Sequence, residues 1–176
     1  SIYPYIENGA KLVGVEPSCV LGFMGDFEDL SSMPDKARTI SENTMLIEQF
    51  FMYSVETNGD VKFANPPKRK KAVFHGHCHQ KSLLGTSTAM EVLGKIPGLE
   101  SVELKSGCCG MAGSFGFYRE HYEISMEIGE ISLFPAIRKE EEGVIIISEG
   151  VSCRQQIQQG TSKDSRHLVE VLAEYL

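Results

Sequence analysis

Five cysteines carry the chemistry that this sequence suggests. An odd number that includes an adjacent pair fits a disulfide scaffold poorly, because neighbouring cysteines rarely bond to each other and a chain of this size does not need such cross-links. A single cysteine often acts only as a small apolar side chain, but five in similar local contexts favour a shared role. Thiolates are soft ligands that select iron–sulfur clusters, zinc or copper(I), so metal or redox chemistry is expected. The cysteines are Cys19, Cys78, Cys108, Cys109 and Cys153.

The spacing of these cysteines separates the candidate metals. Zinc ribbons and ferredoxins use closely spaced cysteine pairs, whereas this sequence has no Cys-x-x-Cys and contains one adjacent pair. Two adjacent side chains do not easily bind one ion, but they can bind different irons of a cluster. The spacing therefore favours an iron–sulfur cluster over zinc, which stays open as the alternative. The expected ligands are Cys78, Cys108, Cys109 and Cys153.

Glycines and cations lie beside the candidate ligands. Gly107 and Gly110 flank the cysteine pair; they let the backbone approach a bulky inorganic core, and their amide groups are expected to bond cluster sulfurs. Lys81 and Arg154 each follow a candidate ligand closely. Either they offset the negative charge of thiolates or they cap helices, and the sequence favours neither role.

Three histidines surround the first of the expected ligands, Cys78. His77 and His79 are its direct neighbours in the chain. At least one of them is expected to orient the site without binding metal, and the alternative is a ligand role, above all with zinc. Cys19, His77 and His79 are therefore secondary metal candidates. His75 is expected to be structural or exposed.

Short apolar strands alternate with helical segments along the chain, and each strand runs into a cysteine loop. Ligands of parallel α/β sheets bind beyond the carboxyl ends of the strands, so all five thiols are expected along one sheet edge. The predicted fold class is α/β, a Rossmann-like three-layer domain with a mostly parallel sheet of about four strands. The predicted strands are 11–15, 71–74, 101–104 and 144–147.

Apolar residues at helical spacing predict the helices. The first is expected to begin at Ser41 as N-cap and to end at the Asn58-Gly59-Asp60 break, before a loop at Asn65-Pro66-Pro67. Two later helices have clear apolar stripes. These stripes are Ile124, Ile128 and Ile131 in one helix, and Leu168, Val171, Leu172 and Tyr175 in the last.

Composition excludes several classes of protein. With 176 residues, 41% of them hydrophobic and 23% charged, the sequence is typical of one globular domain, 1–176. A net charge of −7 argues against binding to nucleic acid or to an anionic membrane. No apolar run approaches the roughly 20 residues that a membrane span needs. The sequence begins at Ser1 without a signal-peptide pattern, and we expect a cytoplasmic fragment of a longer chain.

Three segments carry a resemblance to a known family. The chain resembles the cysteine-rich CCG domain, which occurs in heterodisulfide reductase, in the iron–sulfur subunit of glycolate oxidase, in anaerobic glycerol-3-phosphate dehydrogenase and in lactate-utilisation proteins. It is most similar to the C-terminal part of FAD-linked oxidases of the D-lactate dehydrogenase type. The segments are FHGHCHQK at 74–81, GCCGMAGSFGF at 107–117 and SCRQQI at 152–157.

The resemblance implies two CCG halves, with 1–35 as the tail of the first and 71–176 as the complete second. It assigns Cys78, Cys108, Cys109 and Cys153 to the ligand positions of the second half. Gly150 replaces the first cysteine of the family's Cys-x-x-Cys, so four ligands remain. Four ligands suit a 4Fe-4S cluster rather than the five-cysteine noncubane cluster of heterodisulfide reductase, and they make zinc or an empty site more plausible. Cys19 is expected to serve the other half.

The function implied by the resemblance is an iron–sulfur electron-transfer module of a flavin-linked oxidoreductase. The substrate is expected to be a 2-hydroxy acid such as D-lactate or glycolate, with FAD in an upstream domain and a quinone or other acceptor. The fragment itself is expected to show no turnover, and its parent to lie peripherally on the inner face of a membrane. Two alternatives stay open: a zinc-binding structural or assembly domain, and a thiol–disulfide enzyme similar to heterodisulfide reductase.

Overall fold

The computed structural model describes residues 1–64 and 68–176, so the loop predicted at 65–67 lies outside the described residues. The described chain divides into two compact units, Ser1–Asp60 and Val61–Leu176. The expectations of a single domain and of CCG halves at 1–35 and 71–176 stay predictions. Within the described residues, no helix combines the length and the apolar character needed to cross a membrane.

The first unit pairs two short parallel strands with five helices. Leu12 of β1 lies opposite Thr44 of β2. Ser41 does not cap a helix as predicted: it lies in the last turn of α4, where its hydroxyl donates to the carbonyl of Met24 at 2.9 Å. The next helix begins only after β2. The elements are α1 (Tyr3–Glu7), β1 (Leu12–Gly14), α2 (Pro17–Met24), α3 (Asp26–Leu30), α4 (Pro34–Glu42), β2 (Thr44–Leu46) and α5 (Ile47–Asn58).

The second unit contains a parallel sheet in which β3 lies between β4 and β5. A 3-10 helix, Phe115–Phe117, follows the cysteine pair. The other elements are β3 (Lys70–His75), α6 (Cys78–Leu83), α7 (Ser87–Gly94), β4 (Leu99–Glu103), α8 (Tyr122–Ile131), α9 (Leu133–Arg138), β5 (Ile145–Ser148), α10 (Val151–Thr161) and α11 (Leu168–Tyr175).

The predicted α/β class with parallel strands is confirmed, but the described strands are divided between two sheets. Cys19 follows β1, which pairs with β2 and not with the three-stranded sheet. The prediction that all five thiols share one sheet edge is therefore wrong for Cys19. The other four cysteines follow strands of the β4-β3-β5 sheet.

Two predicted helix stripes have different outcomes. The stripe of α11 is confirmed, since all four of its apolar residues are buried. In α8, by contrast, Ile124 and Ile131 are 51% and 79% exposed, and the buried positions are Ser125 and Gly129. Small residues face the core there because the helix packs closely against its neighbours. A side chain at Gly129, for example, would overlap the ring of Phe134.

Candidate metal centre

Three successive strand ends bring four cysteines together. Cys78 is the first residue of α6, three residues after His75, where β3 ends. The adjacent pair lies in the loop after β4, and Cys153 lies in the first turn of α10 after β5. Because β3 lies between β4 and β5 and all three strands are parallel, these loops meet at one edge of the sheet.

The four sulfurs form a row of pairwise contacts from Cys78 to Cys108, from Cys108 to Cys109 and from Cys109 to Cys153. Hydrogen bonds from the Cys109 thiol and then the Cys78 thiol hold the pKa of Cys108 far below its usual range. The hydrogen bond with Cys108, followed by burial, raises the pKa of Cys78. Hydrogen bonds with Cys108 and then Cys153, followed by burial, raise the pKa of Cys109. The Cys108 thiolate therefore accepts hydrogen bonds from two protonated thiols. A metal can take the place of these protons when it binds the three sulfurs.

Cys153 is the fourth sulfur of the row. The hydrogen bond with Cys109 and the imidazole of His75 lower its pKa to about 5, against the opposing effect of burial. The ring of His77 adds to this lowering through its charge. Cys153 therefore favours the thiolate form that a metal ligand needs.

The row is buried at one end and open at the other. Cys109 and Cys153 are 3% and 1% exposed, and they pack in the apolar core with Met111 and Ile157. Cys108 is half-buried, and Cys78 is exposed. A group held by these thiols would have one side in the core and one side towards solvent.

The donor set fits an iron–sulfur cluster. Thiols from three loops lie in contact, and the backbone N–H of Gly110 donates to Cys108 Sγ at 3.3 Å, the kind of hydrogen bond that tunes a cluster's potential. Over residues 1–64 and 68–176, no three His, Cys, Asp or Glu side chains are arranged to hold a single metal ion. The ligand assignment to these four cysteines stays a prediction.

The two glycines beside the cysteine pair make different contacts. Gly110 has a φ of +100°, and a Cβ there would overlap the carbonyl oxygen of Ser125 in α8, so the close approach that requires glycine is to a helix. The amide of Gly107 donates to Ser132 Oγ at 3.1 Å. Of the two, only the amide of Gly110 reaches a sulfur.

The histidines lie at different depths. His75 is fully buried, and its Nδ1 lies 2.8 Å from Ser106 Oγ, so of the two expected roles the structure fits a structural residue and not an exposed one. His77 is also buried, whereas His79 is half-buried. A hydrogen bond with the backbone of His79 favours the thiolate of Cys78. The imidazoles of His75 and His77 lie close to Cys153.

Gln156 and Arg154 help to hold these loops, and the sequence analysis did not identify Gln156. Gln156, three residues beyond Cys153 in α10, is buried, and its Nε2 donates to the carbonyl of Ser125 at 2.9 Å and to its hydroxyl at 3.2 Å. Arg154 donates to the carbonyls of Ser148 and Glu149 at 3.1 and 2.6 Å. The sequence singled out Arg154 because it directly follows the candidate ligand Cys153. Its hydrogen-bond partners are the carbonyls at the end of β5 and just beyond it.

Cys19 lies in the other sheet's unit and is exposed. It is the third residue of α2, as Cys153 is the third residue of α10, and both helices follow a parallel strand. The N-cap residues Glu16 and Gly150 share an extended backbone. This local repeat agrees with the expected tail of a first CCG half, which itself stays a prediction.

The comparison with known families agrees with this geometry. Residues 72–158, which include all four cysteines of the row, match the CCG family, a cysteine-rich domain. The chain carries a CCG domain. The resemblance drawn from the three cysteine motifs is thereby confirmed. No solved structure matches the chain.

Curated relatives extend the similarity beyond the CCG segment. The chain is 28% identical over 170 residues to one of the subunits of anaerobic glycerol-3-phosphate dehydrogenase from Escherichia coli, covering 96% of this chain and 41% of that protein. It is 25% identical over 171 residues to D-2-hydroxyglutarate dehydrogenase of Pseudomonas putida, covering 96% and 16%. It is 28% identical over 176 residues to lactate utilization protein A of an Exiguobacterium strain, covering 93% and 68%. The chain therefore spans less than half of the first two proteins.

Proposed function

We propose that this chain is an iron–sulfur electron-transfer module of a flavin-linked oxidoreductase that oxidises a 2-hydroxy acid. The observation that carries the proposal is the row of four thiols, Cys78, Cys108, Cys109 and Cys153, at three neighbouring strand ends. The proposed cofactor is a 4Fe-4S cluster, for which four thiolates complete the coordination. The bound cluster would supply a store for single electrons.

The reaction balances as a two-electron oxidation. The 2-hydroxy acid loses a hydride and a proton to become a 2-oxo acid, and FAD in the upstream domain accepts the hydride. A quinone takes up the two electrons and two protons, or another acceptor takes the electrons. In this chain, Cys109 and Cys153 anchor the site in the core, and Cys78 at the solvent side gives a partner close access.

The names of the relatives support the substrate class. Two are named as dehydrogenases, one of glycerol-3-phosphate and one of D-2-hydroxyglutarate, and a third is named for lactate utilization. Each of these compounds has a hydroxyl-bearing carbon, and two are 2-hydroxy acids. A substrate of the D-lactate or glycolate type belongs to the same class.

The proposal also includes the partners. An upstream flavin domain and a first CCG half, of which residues 1–35 would be the tail, lie in the same polypeptide or complex. The five free cysteines suit a reducing cytoplasm, with the parent protein held peripherally at the inner face of the membrane. Cys19 would serve the first half's site.

Anaerobic purification of the chain, followed by iron, sulfide and zinc analysis and a visible spectrum, tests the cofactor. We expect about four irons and four sulfides per chain, as a 4Fe-4S cluster requires, and a brown absorption that bleaches on reduction. Cys109→Ser should lose the iron, and Cys19→Ser, the matched control, should keep it. Stoichiometric zinc without colour would support the structural alternative, and a metal-free chain that reduces a disulfide to thiols at the expense of an added reductant would support the thiol–disulfide enzyme.

A test of the whole reaction uses the full-length parent. Cys109→Ser in the parent should leave reduction of the flavin by the 2-hydroxy acid intact and stop electron delivery to the quinone. An unchanged rate of quinone reduction would contradict the proposal.

A further inference from the structure

A buried hydrogen bond joins the two segments that carry the ends of the thiol row. Gln80 Nε2 donates to Glu149 Oε2 at 2.7 Å, and each of these side chains is 1% exposed. Gln80 is the third residue of α6, which begins at Cys78. Glu149 directly precedes the N-cap of α10, and Cys153 lies in the first turn of that helix. The contact therefore links the helix of Cys78 to the turn that leads to Cys153.

The pairing of the two strands stops short of these two cysteines. The register of β3 with β5 ends where His75 lies opposite Ser148. The pKa of Cys78 is raised mainly by its hydrogen bond with Cys108 and by burial, but the charge of Cys153 contributes too, so the two ends of the row are close enough for their charges to interact. A 4Fe-4S cluster needs all four thiols around one core. The separation of the two ends therefore decides whether the row can close around a cluster.

Both residues of this hydrogen bond are tied to their own segments. The carbonyl of Glu149 accepts a hydrogen bond from Arg154 at 2.6 Å, so the turn that carries the carboxylate is held to α10. The carbonyl of Gln80 accepts the backbone N–H groups of Leu84 and Gly85 at 2.9 and 3.0 Å, which anchors Gln80 in α6. A buried carboxylate is costly compared with an apolar pair of the same volume, whereas a hydrogen bond has a defined length and direction. The polar pair therefore contributes a defined geometry more than it contributes stability.

We propose that Gln80 and Glu149 are a positioning pair, whose hydrogen bond holds Cys78 at the distance from Cys153 at which all four thiols bind one cluster. This inference rests on the proposed function, because it needs a cluster among the thiols. Each residue acts through the cysteine of its own segment and not as a ligand. Cys109 and Cys153 are buried in the core, whereas Cys78 lies in a six-residue helix at the exposed end of the row. Loss of the pair should therefore release Cys78 first.

Two double variants separate positioning from stability. In the exchanged pair, Gln80→Glu/Glu149→Gln, the amide and the carboxylate change places, so the hydrogen bond can form in the opposite direction. In the leucine pair, Gln80→Leu/Glu149→Leu, apolar side chains fill the same space, and the metal-free chain should keep its unfolding temperature because such replacements are often neutral or stabilising. Gln158→Leu is the matched control, since the hydrogen bond that it removes, from Gln158 Nε2 to Asp164 Oδ1 at 3.2 Å, does not join two cysteine segments.

The test measures iron release from the anaerobically loaded chains after ferricyanide is added. A 4Fe-4S cluster in which one iron lacks its thiolate loses that iron as Fe²⁺ and passes one electron to ferricyanide, which leaves about three irons and four sulfides in a paramagnetic cluster. We expect this loss to be about 10–100-fold faster in the leucine pair than in the wild-type chain. The exchanged pair and Gln158→Leu should release iron at close to the wild-type rate.

Equal rates in the leucine pair and the wild-type chain, or a fast loss that the exchanged pair does not restore, would overturn the inference. So would a leucine pair that loses the whole cluster together with its unfolding temperature, because the two residues would then be structural only. A wild-type chain that binds no iron would contradict the proposed function and this inference with it. Normal iron loading with unaffected iron release contradicts only the positioning pair.

Discussion

The ammonium group of Lys81 lies 2.7 Å from the carbonyl oxygen of Ser106 and 3.4 Å from that of Gly107. Lys81 belongs to α6, which begins at Cys78, and the two carbonyls precede Cys108 in the next ligand loop. The side chain thus joins two of the three cysteine loops and places a positive charge close to their sulfurs. Arg154 places a second positive charge at the third loop, where it donates hydrogen bonds to the carbonyls of Ser148 and Glu149.

Lys81→Met should lower the free energy of unfolding by about 1–2 kcal/mol, because the loop carbonyls lose a charged donor. It should also make iron release to a chelator faster than in the wild-type chain. Lys139→Met, at an exposed lysine next to α9, is the control and should change neither quantity. Equal rates of iron release in the two variants would contradict the role assigned to Lys81.

Gln156→Leu should destabilise the loop of the cysteine pair through α8. The buried carbonyl and hydroxyl of Ser125 would lose their donor, at a cost of about 1–3 kcal/mol. Urea unfolding measures the loss, and hydrogen exchange at Gly110 and Met111 should become faster. Gln155→Leu, one residue earlier and exposed, should leave both measurements within error of the wild type.

Gly110→Ala should be far more damaging than Gly113→Ala. Both glycines have positive φ, +100° and +68°, but a Cβ at 110 overlaps Ser125 whereas a Cβ at 113 meets nothing within 4 Å. Backbone strain alone costs roughly 1–2 kcal/mol, so the excess loss at 110 measures the overlap with α8. Thermal unfolding of the metal-free variants makes the comparison, and similar losses at both positions would contradict the packing described.

Alkylation should follow the exposure of the thiols and the presence of metal. In the iron-loaded chain, Cys19 should be labelled first, because it is exposed and outside the row. After iron is removed with a chelator, Cys78 and Cys108 should react next, and the buried pair, Cys109 and Cys153, last. Mass spectrometry of the labelled peptides gives the order; protection of Cys19 by iron would contradict its place outside the site.

The sequence predicted the meeting of Cys78, Cys108, Cys109 and Cys153 at one sheet edge better than it predicted the helices. Cys78 and Cys153 follow strands that contain continuous buried apolar residues, at 72–74 and 145–147, a pattern that is legible because buried parallel strands have both faces covered. The strand before Cys108 is different, since two of its five residues are glutamates and its positions alternate in burial. The sheet of Cys19 was missed because its partner strand, Thr44–Leu46, is only three residues long, too short for a periodic pattern to be recognised in the sequence. That same short strand explains the wrong N-cap at Ser41.

Other features depend on contacts that a sequence pattern does not contain. Ile124 and Ile131 have helical spacing, yet the closest packing of α8 is made by Ser125 and Gly129, since small residues allow the approach of neighbouring backbone and rings. The burial of His75 follows from its position in the central strand. The hydrogen bond of Gln80 with Glu149 joins residues far apart in the chain, and the register of β3 with β5 brings their segments close.

The gradient of burial along the thiol row has a consequence for how the protein matures. Cys109 and Cys153 are buried among core side chains such as Met111 and Ile157, so under the proposed function these two ligands would lie on the core side of the cluster. The cluster would then enter before this part of the core closes, or when the segment containing Met111 opens. Under the proposed function, insertion of the cluster would therefore be coupled to the closing of the core of the second unit.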